Sequence, residues 1–351
     1  MAGLRIRGLE IDPPLFLAPM ADLTDPPFRR LVARIGGAGA MVTPMFTPPS
    51  ARAHQSQRVQ VDTGVPGAPP LFVQIAPSSP ADVDDSLSRL LSLCSPEGID
   101  INMGCAAPRI RRTGAGAALA RDPARAARIV ERARVLAGKL PLTVKLRAGD
   151  TPVGGLADDS AELAACFDRL ADLARRLVDA GADGLVLHPR GSTEGFRRKA
   201  AWSLVSSLAR SVAVPVIGSG DIDTPAVAVS RLVSSGCAGV MLGRAALGDP
   251  WLPAAAAATC RGEPFAPPSL ATRGAAVLEL ADDIAATYDP GRALARIALM
   301  SSYALAPFPF GRRVALALRR LPGPAAQRAA LAAFLDTAAA GPCCGLTSPQ
   351  P

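Results

Sequence analysis

A chain of 351 residues, 49% hydrophobic and 19% charged, carries enough apolar material for one large core, or a large and a small one, and excludes disorder as its bulk state. The formal net charge of +8 points to an acidic partner such as nucleic acid, although only three lysines occur (Lys139, Lys145, Lys199) and an Arg- and Ala-rich composition alone gives the same balance. Seven scattered cysteines without CxxC pairs or zinc spacing give no expectation of a metal site, and the apolar runs are too short and proline-interrupted to span a bilayer. A cytoplasmic protein with no obligate protein partner is expected.

In chain order, eight short apolar runs predict strands: "LFLAPM" (15–20), "AMVTPM" (40–45), "LFVQIA" (71–76), "GIDINM" (98–103), "LTVKLRA" (142–148), "GLVLHPR" (184–190), "VPVIGSG" (214–220) and "GVMLGR" (239–244). Helical segments fill most intervals. In "RDPARAARIVERARVLAG", Asp122 is placed to cap, Pro123 suits the first turn and Gly138 follows the last; Thr224, Pro225 and Gly236 repeat the design. Greasy strands alternating with amphipathic helices predict a (β/α)8 TIM barrel over residues 1–252. An open doubly wound sheet ranks lower, because "GAGAAL" (114–119) does not directly follow a strand. Residues 253–340 show Ala/Leu-rich, Arg-dotted helical stretches and predict a small all-helical domain, with a disordered tail over 341–351 that includes Cys343 and Cys344.

In such a barrel the active site forms at the C-terminal ends of the strands. That ring supplies Pro19, Met20, Gln74, Asn102, Cys105, Lys145, Arg147, His188, Arg190, Ser219, Gly220, Asp221, Gly243 and Arg244. The glycine turns after the last two strands suit a phosphate-bearing cofactor. Most cysteines are small buried hydrophobes. Cys105 differs because it follows Gly104 at a strand end, where an arginine-rich loop (Arg109, Arg111, Arg112) lies close in sequence. Lys145, flanked by apolar residues, needs an anionic or polar partner. His188 ends a strand, whereas the other histidine, His54, falls in a polar loop. The arginine runs near 197, 312 and 319 are RNA contacts or simply solvated faces.

The ordered set "LAPMADLTDPPFRRL", "INMGCAAPRIRRTGAGAALARDP", "TVKLRAG", "HPRGSTEGFRRKAAW", "PVIGSGDI" and "GVMLGRAALGDPWL" resembles the tRNA-dihydrouridine synthases from about residue 15 to 252. The stretch "ALARIALMSSYALAPFPFGRRVALALRRL" resembles, more loosely, the C-terminal domain of the bacterial C-type subfamily, which acts on uridine sixteen of the D-loop.

The resemblance implies an FMN-containing barrel that reduces the C5–C6 bond of selected tRNA uridines, with NADPH as reductant and NADH as the alternative. Hydride would pass from the flavin to uracil C6, and Cys105 would protonate C5 of a flipped-out base. By the same likeness, Pro19, Met20, Ala21 and Gln74 would contact the flavin ring and Lys145 its N1/O2 edge. His188 would hold the ribityl side, and Ser219, Gly220, Asp221, Gly243 and Arg244 the phosphate. Asn102 and Arg147 would address the uracil; Arg190, Arg312 and Arg313 would address RNA. The chain departs from the family pattern at Pro44, at Ala106 (usually proline) and at Ser219 (often asparagine), and its loop after the fifth strand is enlarged. Two alternatives stay open: a flavin barrel acting on a small pyrimidine-like substrate, and a non-catalytic RNA-binding relative.

Overall fold

The computed structural model describes residues 3–47 and 65–339; His54, Cys343, Cys344 and the expected disordered tail lie outside these. The eight predicted runs form eight parallel strands: β3 (Leu15–Leu17), β4 (Ala40–Val42), β5 (Leu71–Ile75), β6 (Gly98–Met103), β7 (Leu142–Arg147), β8 (Gly184–His188), β9 (Val216–Ser219) and β10 (Gly239–Leu242). They pair in sequence order, and β10 closes back on β3, giving a (β/α)8 barrel. The helices between them end where the sequence places caps. The Asp122 carboxylate accepts the Arg125 N–H with Pro123 in the first turn, and Thr224 accepts the Val227 N–H with Pro225 behind it.

An element that the sequence reading missed is an antiparallel hairpin, β1 (Leu4–Ile6) with β2 (Leu9–Ile11). Its Leu4, Ile6 and Ile11 join Phe16, Val42, Phe72, Val186, Ile217 and Met241 in one buried cluster, so the barrel interior has an apolar floor. Phe16 and Phe72 meet edge to face at 6.2 Å. Gly98 makes this packing feasible, because a Cβ there would lie 2.3 Å from the Phe72 ring. The larger core lies between the strands and the surrounding helices.

Above the floor the interior turns polar, and the register explains which residues meet. Gln74 is the partner of Asp100, Asp100 of Thr143, and Asn102 of Lys145, so these side chains share the inward face in two successive tiers.

The chain divides into two compact units, residues 1–246 with 251–265, and residues 247–250 with 266–351. In this division the helix Leu252–Arg261, which follows the boundary expected after residue 252, falls with the barrel unit. It buries Leu252, Pro253 and Ala255 to Ala258, and it passes so close to Gly37 that a Cβ on that glycine would lie 2.2 Å from the Ala254 Cα. The second unit contains the helices Leu270–Thr287, Pro290–Ala304, Gly311–Leu318 and Pro324–Ala339. Inside it, the fully buried Gln327 donates to the carbonyls of Leu294 and Leu318 at 3.1 and 3.0 Å. Among the described residues no helix is long and apolar enough to cross a membrane.

Candidate active site

Cys105 sits on the turn after β6, half-buried, and its backbone is fixed from three sides. The Asn102 Oδ1 accepts the N–H groups of Gly104 and Cys105 at 3.1 and 2.8 Å. The Cys105 carbonyl accepts the Ala117 N–H at 3.0 Å, and Gly116 is required beneath it, since a Cβ there would lie 2.7 Å from that oxygen. Arg147, on β7, donates Nε to the Gly104 carbonyl and Nη1 to the Gly191 carbonyl, both at 2.9 Å, tying this turn to the loop after β8. Burial lowers the Arg147 pKa, while the nearby Cys105 opposes the shift.

Behind the turn, the polar tiers form a continuous chain. Thr143 Oγ1 donates to Asp100 Oδ1 at 2.6 Å, and Gln74 Nε2 donates to Asp100 Oδ2 at 2.6 Å. Asn102 Nδ2 donates to Gln74 Oε1 at 2.8 Å. Asp100 is 1% exposed, and burial pushes its carboxyl up to about 6 against the hydrogen bonds from Thr143 and Gln74 and the charge of Lys145. Lys145 is lowered to about 8, first by burial, with Asp100 opposing. The Asp100 charge thus favours the protonated lysine in this strand.

Two strands along from β6, His188 closes β8 as the register partner of Arg147. Burial, then the charges of Lys145, Arg147, Arg190 and Arg244, hold its pKa far below the usual histidine range, so the ring is neutral. Arg190 Nη1 lies 3.1 Å from His188 Nε2; a guanidinium only donates, so Nε2 accepts and the ring proton sits on Nδ1. The ring abuts Gly220, where a Cβ would lie 2.8 Å from His188 Cδ2 and where φ is +113°, so glycine is doubly required. Phe196, 52% exposed, lies beside this group: its ring stacks near His188 at 6.2 Å, and the Arg244 guanidinium carbon lies 3.7 Å from its centroid.

The predicted ring is therefore largely assembled within the barrel unit, but several side chains are engaged otherwise than expected. Arg190 is 1% exposed and grips both Asp221 oxygens at 2.6 and 2.7 Å, so its guanidinium has no access to RNA. The Asp221 carboxylate also accepts the Ala200 N–H at 2.8 Å; it anchors the β9 turn rather than facing an anion. Asn102 spends Oδ1 on the Cys105 turn and Nδ2 on Gln74. Of the arginine-rich loop, Arg109 and Arg112 are exposed, and Arg111 pairs with Asp150 at 3.6 Å. Met20 accepts a backbone turn from Thr24, whose buried hydroxyl accepts the Met20 N–H at 2.8 Å; Pro19 is half-buried and Ala21 exposed at the same rim. Ser219 Oγ donates to the Met241 carbonyl at 3.5 Å. Arg312 and Arg313 are exposed in the helical unit.

Sequence reasoning missed Asp100, Glu194 and Phe196. Glu194, buried, accepts the N–H groups of Val153, Gly154 and Gly191 at 3.0 to 3.1 Å and so clasps the enlarged loop after β7 to the loop after β8. The lone aspartate inside "GIDINM" was a usable signal, by the same reasoning applied to Lys145.

The family model described as dihydrouridine synthase (Dus) matches residues 16–315. A probable tRNA-dihydrouridine synthase of Rhodobacter capsulatus is 37% identical over 261 residues, covering 74% of this chain and 76% of that protein. A tRNA-dihydrouridine synthase B of Pseudomonas aeruginosa is 33% identical over 256 residues, covering 72% and 71%. Among solved structures, a 2-naphthoyl-CoA reductase in complex with 2-naphthoyl-CoA superposes with a TM-score of 0.53 at 15% identity, over 75% of this chain and 52% of that one, a likeness of fold alone. The Pseudomonas relative carries the B designation and gives the C-type likeness of the tail no support. A match of this extent to the family model, on a barrel whose mouth holds a pinned thiol, makes the chain a member of the dihydrouridine synthase family.

Proposed function

We propose that this chain is an FMN-dependent oxidoreductase that reduces specific uridines of tRNA to 5,6-dihydrouridine in the cytoplasm, with NADPH as reductant. The observation that carries the reading is the Cys105 thiol, half-buried at the barrel mouth on a turn held by Asn102 and Arg147. The names of the relatives, all tRNA-dihydrouridine synthases, supply the substrate class.

The residues present suit a flat, phosphate-bearing cofactor. At Gly243 a Cβ would meet nothing nearer than the Ala18 Cβ at 4.0 Å, so the β10 end is open, and Gly220 brings backbone to the same rim. His188 is depressed first by burial and then by the charges of Lys145, Arg147, Arg190 and Arg244, and a mouth lined by that positive charge favours an anion. On this reading Ser219, Gly220, Gly243 and Arg244 would hold the phosphate, and His188 would offer its Nδ1–H to the cofactor's polar chain. Pro19, Met20 and Ala21 line the ring, and Lys145 supplies positive charge beside it. When bound, the reduced flavin supplies hydride to uracil C6.

The protein's own task is then the proton. Cys105 Sγ holds it for C5, and the pinned turn keeps the thiol in one place while the base enters. Arg190 and Asp221 act as supports for His188 and the β9 turn. Arg147 keeps the thiol turn in place and leaves uracil recognition to whatever of its guanidinium faces the mouth. Arg312 and Arg313 meet the RNA backbone.

The test is incubation of the purified protein with an unmodified tRNA transcript, FMN and NADPH, followed by digestion and mass spectrometry. Uridine gaining two hydrogens is expected, and the fragment carrying it identifies the target position. A yellow protein that oxidises NADPH without forming dihydrouridine would turn the reading toward a small pyrimidine-like substrate.

A further inference from the structure

The chain Thr143–Asp100–Gln74–Asn102–Cys105 has a direction. An ionised carboxylate can only accept, so Asp100 requires Gln74 to present its NH2 group, at 2.6 Å. Gln74 must then present its oxygen to Asn102, at 2.8 Å, which obliges Asn102 to offer its own NH2 there and its oxygen to the backbone N–H groups of Gly104 and Cys105. Reversing Asn102 would set donor against donor at the thiol turn, and reversing Gln74 would set its oxygen against the Asp100 carboxylate and its NH2 against that of Asn102. Gln74 and Asp100 are each 1% exposed, and Asn102 7%, so water does not readily replace a lost bond.

We infer that Asp100 is a positioning residue for the reaction: its acceptor-only carboxylate, read through Gln74 and Asn102, fixes the turn that carries the Cys105 thiol. This rests on the reading of Cys105 as the proton donor. Asp100 lies two residues before Asn102 on the same face of β6 and reaches the turn only through the two amides. Thr143 is a second donor to the carboxylate, at 2.6 Å, on the oxygen that faces away from the amide chain.

The experiment is a hydrogen-bond reversal that conserves charge. In Gln74→Glu, two carboxylates confront each other at the first link; in Gln74→Glu with Asp100→Asn, an amide NH2 at position 100 donates to a carboxylate at position 74, which still accepts from Asn102. The readout is the iodoacetamide alkylation rate of each cysteine in the flavin-loaded protein, followed by peptide mass spectrometry. Cys166 and Cys237, both buried, report global opening. Gln74→Glu is expected to speed Cys105 alkylation by about fivefold or more, the equivalent of a lost buried hydrogen bond, without speeding Cys166 or Cys237. The double variant is expected to return within about twofold of the parent, and dihydrouridine formation should fall and recover in parallel.

A second cycle avoids the paired carboxylates. Thr143→Val alone leaves the acceptor intact and should leave Cys105 alkylation near the parent rate, whereas Thr143→Val with Asp100→Asn lets the amide at 100 turn either way and should loosen the turn. A double variant at 74 and 100 as labile as Gln74→Glu, equal rates in the two Thr143→Val backgrounds, or loosening shared by Cys166 and Cys237 would each overturn the inference. Failure of the proton-donor reading has a different signature: Cys105→Ala would retain turnover while both alkylation cycles still behaved as expected.

Discussion

At the scale of single residues, the polar tier is a set of charges held in a barrel that would otherwise reject them. Burial pushes the Asp100 carboxyl up from 3.8 to about 6, so the native state binds its proton more tightly than the unfolded state. Its contribution to stability is therefore fully present below about pH 4 and lost as pH rises through 6. Lys145, lowered from 10.5 to about 8, behaves oppositely: its contribution is present above 10.5 and lost as pH falls through 8. The unfolding free energy of the parent minus that of Asp100→Asn should fall by about 1–3 kcal/mol between pH 4 and 7, measured by denaturant titration across pH. Parallel curves would mean that the carboxyl is not buried as described. Cys105, Lys145 and His188 stood out in the sequence because each breaks the pattern of its strand or strand end, and all three lie in the barrel unit near the C-terminal ends of the strands. Arg190 and Asp221 were legible as polar but not as each other's partner, because a contact between β8 and β9 loops is set by tertiary packing.

At the scale of elements, the turn after β9 shows how local backbone carries function. Gly220 combines a φ of +113° with a Cβ position 2.8 Å from the His188 ring, whereas Gly243, on the turn after β10, has open space. Gly220→Ala should lose about 1–3 kcal/mol of stability together with retained flavin, while Gly243→Ala should lose flavin with little change in thermal unfolding. Equal effects on stability would contradict the description of the two turns. All eight barrel strands were legible, because a buried parallel strand is a short apolar run closed by glycine, proline or a polar residue. The floor hairpin was not: its strands are three residues each, and "LRI" and "LEI" carry too little period to separate from loop. The place of the Ala-rich helix Leu252–Arg261 is hard to read for a similar cause, since in sequence it resembles the helices that follow, and its fit against Gly37 is visible only in the structure.

At the scale of the whole molecule, charge is distributed unevenly. Between Asp289 and Asp336 the chain carries Arg292, Arg296, Arg312, Arg313, Arg319, Arg320 and Arg328 and no acidic residue. Arg312, Arg313, Arg319 and Arg320 are exposed, with Phe310 beside them 79% exposed. Such a surface binds a phosphate backbone with a steep salt dependence. Replacing Arg312 and Arg313 together by alanine should weaken tRNA binding and lower the slope of log affinity against log salt by about 1–2, whereas an unchanged slope would put the footprint elsewhere. Composition alone could not make this distinction, because the same net charge follows from arginine spread evenly over the surface.

On the proposed function, one half-buried thiol in a flavin barrel delivers a proton to tRNA uracil. The most direct measurement compares dihydrouridine formation by the parent and by Cys105→Ala, each loaded with flavin to the same occupancy and given the same tRNA and NADPH. The account predicts that Cys105→Ala keeps its flavin and its tRNA affinity and loses activity by about a hundredfold or more. Formation of dihydrouridine at the parent rate would contradict it.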